Sequence, residues 1–184
     1  MKNINVKIGL YTALISFILG TCLLGLYYQT SSDEYLGIGL LFVVITIIIN
    51  SGVLLFLIYK LIIDKKNRKK LLLTCFIMLL NIPIMLFYYS FVDVLLNTMR
   101  IKFTNTTPTV LTDIKISGCE TKHIDKLEPG KSKTVWIGIP GDCSIDIYYI
   151  SNNKKEHRSV YGYTTKNSGM KFEYNIGGVN NFSY

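Results

Sequence analysis

The chain is 184 residues long, 49% hydrophobic and 17% charged, with 20 basic and 12 acidic side chains and a formal net charge of +8. A basic excess invites a nucleic-acid partner, but 8 basic and 4 acidic residues precede Asn97 and 12 basic and 8 acidic follow it, so each half carries +4 and neither gathers a basic stripe. Nucleic-acid binding is therefore set aside. With no Gly-rich phosphate loop, serine elbow or metalloprotease helix in the sequence, the chain reads as a non-enzyme without a cofactor.

Three apolar runs, at 8–28, 36–63 and 71–92, predict three transmembrane helices in a membrane domain at 1–96. Each exceeds the roughly 18 to 20 apolar residues that cross about 30 Å of hydrocarbon. Lys2 and Lys7 precede the first run, and Lys60, Lys65, Lys66, Arg68, Lys69 and Lys70 surround the link between the second and third. The other link, 29–35, has no basic residue and carries Asp33 and Glu34. Cytoplasmic flanks of membrane helices are enriched in Lys and Arg. The bias predicts a cytoplasmic amino terminus and, after three crossings, an extracytoplasmic second half. Tyr27, Tyr28, Tyr35, Tyr88, Tyr89 and Phe91 fall at the predicted outer boundary, where amphipathic rings settle. The first run lacks a small-x-small cleavage site and exceeds the roughly 7 to 15 residues of a signal-peptide core, so it reads as a retained anchor.

Inside the spans the small and polar residues carry more information than the apolar ones, because lipid gives helices no hydrophobic reason to associate. Gly9, Ala13, Ser16 and Gly20 share one face of the first helix and predict a close-packing seam, for another helix or for a second copy of the chain. Asn50 and Asn81 stand near the middles of two antiparallel spans, where an unsatisfied amide costs several kcal/mol. A direct or water-bridged hydrogen bond between them, contributing about 0.6 to 2 kcal/mol, is one expectation; the other is that each amide bonds to its own helix backbone or to another subunit. Pro83 predicts a kink two residues after Asn81. No Asp, Glu, Lys, Arg or His lies deep in a span, which argues against an ion or proton path.

The second half reads as all-β from period-two alternation and turn chemistry. Met170, Phe172, Tyr174 and Ile176 alternate with Lys171, Glu173 and Asn175. Val135, Ile137 and Ile139 alternate after the turn at 128–131, and Ile145, Ile147 and Tyr149 after 140–142. Further strands are predicted at 100–105, 110–117, 121–127 and 158–165, with hairpin loops at 151–155 and 166–169. Seven short strands over 97–177 predict an extracytoplasmic β-sandwich of the immunoglobulin-like or fibronectin-like sort. The Gly- and Asn-rich end, 178–184, reads as a disordered tail.

So small a core gains from a cross-link. Cys119 and Cys143, the only cysteines of the second half, are predicted to form a disulfide on an oxidising side of the membrane. The rival is a zinc site from Cys119, His123, Cys143 and His157, whose spacing matches no finger; no metal site is assigned. Trp136 is opposite in phase to Val135 and Ile137 and should face outward. With the wet-face rings of Tyr148 and Tyr161 it makes the candidate partner surface, because large amphipathic rings bury area at little entropic cost.

The segments 111–116 (LTDIKI), 127–135 (LEPGKSKTV) and 162–165 (GYTT) resemble small β domains in uncharacterised bacterial envelope proteins that carry three N-terminal membrane helices. The resemblance covers roughly residues 100–177 and speaks to fold. Some chains of this layout resemble immunity proteins, which guard an envelope against a secreted toxin. It implies a protein of the bacterial cytoplasmic membrane, presenting an extracytoplasmic module to a toxin or another envelope component. The alternative is a membrane effector with a cytoplasmic β-domain ligand sensor, resembling the layout of bacterial antiphage signalling receptors. That reading requires the opposite charge bias.

Overall fold

The computed structural model describes residues 4–180 and divides into two compact units, 1–92 and 93–184. The first unit begins with α1 (Ile4–Thr30) and α2 (Asp33–Ile63), and the run continues through a 3-10 turn at Lys65–Asn67 into α3 (Arg68–Leu79) and α4 (Asn81–Leu96). Three helical runs, Ile4–Thr30, Asp33–Ile63 and Lys65–Leu96, are long and apolar enough to cross a membrane.

Local chemistry explains where these helices stop. Ser31 takes a positive φ of 53°, and Ser32 then caps α2 by accepting from the Glu34 N–H at 3.3 Å. Asp33 and Glu34 sit in the first turn of α2, where negative charge complements the helix dipole. The third run breaks at Leu80. Pro83 has no N–H to give the Leu79 carbonyl, and the Leu80 N–H is shared between Phe76 and Ile77 at 3.1 and 3.2 Å. The hydroxyls of Thr12, Ser16, Thr21, Thr30, Thr74 and Ser90 each donate to the carbonyl four residues back, at 2.7 to 3.0 Å. Each hydroxyl is thereby satisfied within its own helix, without water.

The helical core is small: Ala13, Leu57, Leu71, Cys75 and Met78. Gly9 belongs to this contact, because a Cβ there would stand 2.6 Å from both Leu57 Cδ1 and Thr74 Cγ2.

The second unit holds seven strands: β1 (Thr98–Asn105), β2 (Leu111–Gly118), β3 (Lys122–Leu127), β4 (Ser132–Gly138), β5 (Cys143–Ser151), β6 (Lys154–Thr164) and β7 (Lys171–Ile176). They form a three-stranded sheet, β4-β1-β7, and a four-stranded sheet, β3-β2-β5-β6. All pairings are antiparallel except β1 with β7, the first strand lying parallel to the last. Asn152 and Asn153, at φ 49° and 59°, make the two-residue β5–β6 hairpin, the geometry that the strand twist favours.

One contiguous core lies between the two sheets. Met99, Ile101, Phe103, Ile137 and Ile176 face it from the smaller sheet, and Leu111, Ile114, Ile116, Ile145 and Ile147 from the larger, all with no exposed surface. Phe103 meets Tyr174 edge-on, centroids 5.9 Å apart, and the Tyr174 hydroxyl donates to the Ser159 carbonyl on the other sheet at 3.4 Å.

The numbers of strands per sheet match an immunoglobulin constant domain, but their order does not. Lettered along the chain, the sheets run C-B-E-F and D-A-G, where the immunoglobulin order is A-B-E-D with C-F-G. Strand spacing carries no information about which edges meet. The expected tail, 178–184, begins at the end of β7. Asn180 accepts from the Asn175 N–H at 2.6 Å and donates to the Asn175 carbonyl at 3.0 Å, which fastens 178–180 to the end of β7. Residues 181–184 lie outside the described residues.

Candidate functional site

The two amides of the long apolar helices reach the same turn of α1 rather than each other. Asn50 Nδ2 donates to Ser16 Oγ and to the Thr46 carbonyl, both at 2.9 Å, and Asn81 Nδ2 donates to the Ala13 carbonyl at 3.3 Å. Both amides are thus drawn to α1, and the anticipated direct bond is replaced by two bonds to a third helix. The seam expected along Gly9, Ala13, Ser16 and Gly20 is occupied within the chain. Gly9 and Ala13 are buried, Ser16 takes the Asn50 bond, and a Cβ on Gly20 would lie 3.5 Å from Tyr88 and 3.6 Å from Phe42. A second copy has no access to Gly9 or Ala13 while these helices are packed.

Cys119 and Cys143 form a disulfide, with Cα atoms 5.2 Å apart and 24 residues of separation. Gly118 makes the approach possible: at φ 119°, a Cβ there would clash with the Ser144 carbonyl oxygen. The cross-link joins the end of β2 to the start of β5 and consumes both thiols that a zinc site would need. Glu120 follows it and clamps the same end of the unit. Its carboxylate accepts from Lys122 Nζ at 2.6 Å and from the Gly138 N–H at 2.8 Å. The Lys122 contact first, then the Gly138 bond, holds its pKa below the ordinary glutamate value.

The three rings of the expected partner surface do not share a face. Trp136 lies on the outer side of the three-stranded sheet, 38% exposed, opposite Arg100 in register and 5.7 Å from its guanidinium carbon. Tyr148 lies on the outer side of the four-stranded sheet, across the core from Trp136. Tyr161 is half-buried against Phe172, centroids 5.8 Å apart. The β5–β6 register shifts on both sides of Ile145, which pairs with Tyr161. That bulge turns Tyr161 toward the margin of the core, an effect that strict alternation cannot anticipate.

What the topology does assemble is a row across the outer face of the larger sheet. Lys115 on β2 pairs with His123 on β3 and with Tyr148 on β5, and Tyr148 pairs with His157 on β6. The Tyr148 and His157 rings stack with centroids 4.5 Å apart, and His157 Nε2 lies 3.4 Å from Asp146 Oδ1. Beside them a shallow groove of about 360 Å³ is bounded by Asp113, Lys115, Ser117 and Lys155. A register shift between Thr112 and Lys115, with Asp113 at φ 49°, bends β2 at this groove. Ser144 donates to Asp146 at 3.3 Å. The carboxylate therefore stands between hydroxyl and imidazole, and the imidazole is not placed to take the serine proton, as nucleophilic catalysis requires. The row offers stacking and hydrogen bonding.

Two residues that sequence reasoning passed over hold the ends of this unit. Asn105 is fully buried. Its amide donates to the Thr109 and Leu127 carbonyls at 2.8 and 2.9 Å and accepts from the Thr107 N–H at 2.9 Å. Asn97, the single residue between α4 and β1, accepts from the Asn167 N–H on its side chain at 3.2 Å and from the Ile139 N–H on its carbonyl at 2.9 Å. Asparagine ending a strand or joining two elements is the only sequence signal for either. Among known proteins, the chain matches no family model, no curated protein and no solved structure.

Proposed function

We propose that this chain is a membrane-anchored binding protein of the bacterial cytoplasmic membrane. Three spans hold the seven-stranded unit on the non-cytoplasmic side, and the Tyr148–His157 row is its recognition face. The reading rests on one coincidence: the unit that the Lys and Arg distribution assigns to the oxidising side is the unit that carries the Cys119–Cys143 disulfide. Two sheets around one core give it the layer architecture of the immunoglobulin-like recognition domains, with its own strand order. The partner is another protein, a secreted toxin or an envelope component, and immunity-type protection is the role that this arrangement fits.

A fusion after Tyr184 tests the topology. Active alkaline phosphatase supports the proposal, whereas a fluorescent cytoplasmic reporter without phosphatase activity overturns it in favour of a cytoplasmic sensor. Tyr148→Ala and His157→Ala, with disulfide and fold retained, are expected to abolish partner binding or cell protection. Loss with Trp136→Ala alone moves the face to the smaller sheet.

A further inference from the structure

The link between α2 and α3 carries charge that the protein does not neutralise. Lys60, Lys65, Lys66, Arg68, Lys69 and Lys70 share it with one acid, Asp64. The Asp64 carboxylate is already committed, accepting from the Asn67 backbone N–H at 3.2 Å and from Asn67 Nδ2 at 2.8 Å. Among the described residues none of the six cations lies within 4.0 Å of a carboxylate oxygen. Lys60 instead stands 5.6 and 5.8 Å from the ring centroids of Phe56 and Tyr59. Arg68, Lys69 and Lys70 open α3 with no acid in its first turn, so they face the positive end of its dipole, which repels them.

A shallow, open apolar groove runs from this cluster along α3. It has a volume of about 520 Å³ and is lined by Lys69, Leu72, Leu73, Cys75, Phe76 and Leu79. Lys69 is its one charged residue and Cys75 its buried floor. Leu72, Leu73 and Phe76 are each 60% exposed. From Lys69 to Leu79 the helix rises about 15 Å, half of the roughly 30 Å hydrocarbon thickness and so the depth of one leaflet.

We propose that this groove binds an anionic phospholipid of the cytoplasmic leaflet. Its acyl chain lies along Leu72, Leu73, Phe76 and Leu79, and its phosphate is met by Lys69 within the basic cluster. The inference rests on the membrane-spanning reading above and names a ligand for that anchor. Charge selects the occupant: a second copy docked on this face by a two-fold axis brings its own six cations against these, and a soluble anion leaves the apolar groove unfilled. Basic clusters at the cytoplasmic end of membrane helices attract acidic lipids by about fivefold per residue.

The test uses the full chain in nanodiscs, with a Phe76→Trp probe and a Leu55→Trp control; Leu55 is 67% exposed and lies eight residues before the end of α2, as Phe76 lies eight after the start of α3. Phosphatidylglycerol or phosphatidylcholine with brominated acyl chains is titrated into a phosphatidylcholine background, and the signal of Trp136 is subtracted using the parent protein. At position 76, brominated phosphatidylglycerol is expected to quench at about fivefold lower mole fraction than brominated phosphatidylcholine. The difference should collapse in Lys69→Gln and be absent at position 55. Equal quenching at 76 overturns the site, and so does an equal preference at 55, which marks general enrichment around the protein. Loss of the preference to excess inorganic phosphate, at constant ionic strength, marks a soluble-phosphate site and overturns it as well. If neither lipid quenches either probe, the helices are not in the bilayer and the membrane reading falls with the inference. Leu73→Trp on the same face serves if Phe76→Trp does not accumulate.

Discussion

The two units use the same apolar residues in opposite ways. In the β unit Ile, Phe and Met are turned inward and reach zero exposure, so burial from water is its main source of stability. In the helical unit Leu40, Leu41, Ile48, Leu55 and Ile62 are each more than 60% exposed, while glycine, alanine and a few amides occupy the contacts. On the membrane-spanning reading proposed above, the surroundings are as apolar as the side chains and association depends on close approach and hydrogen bonds. One chain therefore needs two kinds of adhesive, and perturbations should separate them.

The largest separation is expected from phenylalanine. Phe103→Ala removes a fully buried ring from the β core and should cost about 3 to 5 kcal/mol, whereas Phe87→Ala, at a ring 65% exposed on α4, should stay within about 0.5 kcal/mol. Detergent-solubilised protein unfolded in denaturant, followed by Trp136 fluorescence and by helical dichroism, distinguishes the two. Comparable losses would abolish the contrast. Next is the disulfide. Cys143→Ser should destabilise the β unit by on the order of 3 kcal/mol, leave the helices unchanged, and expose Cys119 to alkylation. Full labelling of both cysteines in untreated protein would show that the cross-link does not form.

The hydrogen bonds of the helical unit come third. A double-mutant cycle between Ser16→Ala and Asn50→Leu should give a coupling of about 0.6 to 1.7 kcal/mol, while Asn50→Leu with Asn81→Leu should be additive within about 0.5 kcal/mol. Strong coupling between the two amides would mean that they bond to each other after all. The smallest effect is that of pH. The Glu120 carboxyl is held below the ordinary value by Lys122 and Gly138, so its contribution is full above the unfolded value of about 4.3 and is lost as pH falls through the lower folded one. Glu120 is largely exposed, so a shallow slope in stability is expected there, and Glu120→Gln should flatten it. An unchanged slope in that variant would assign the dependence to another carboxylate.

What could be read from sequence followed the range of each signal. The three long apolar helices were legible because hydropathy is local, and the inward set of β7 because period two is local. The turn at 152–153 was legible because two asparagines tolerate positive φ. The partner of Asn50 was not: choosing Ser16 over Asn81 depends on which face of α1 meets α2, and depth alone does not decide it. The strand order was equally hidden, since β1 meets β4 and β7 by long connections. The expected partner surface came apart at Trp136 because β4 lies in the other sheet, and at Tyr161 for a finer reason. One register shift beside Ile145 moved that ring to the core margin, while Tyr148, on the unshifted stretch facing His157, kept its outward phase.

The parallel pairing of β1 with β7 sets an order on biogenesis. β1 follows α4 after one residue and is the central strand of its sheet, yet both of its neighbours are made later, and β7 last of all. While the chain emerges, the hairpins β2–β3 and β5–β6 can close locally, and oxidation can join Cys119 to Cys143 as soon as β5 begins. The sheet around β1 has no such head start. Its Met99, Ile101 and Phe103 stay without the final cover of Tyr174 and Ile176 until the last described strand arrives. A chain interrupted before Lys171 therefore leaves an apolar strand with an open edge, a template for pairing with other chains.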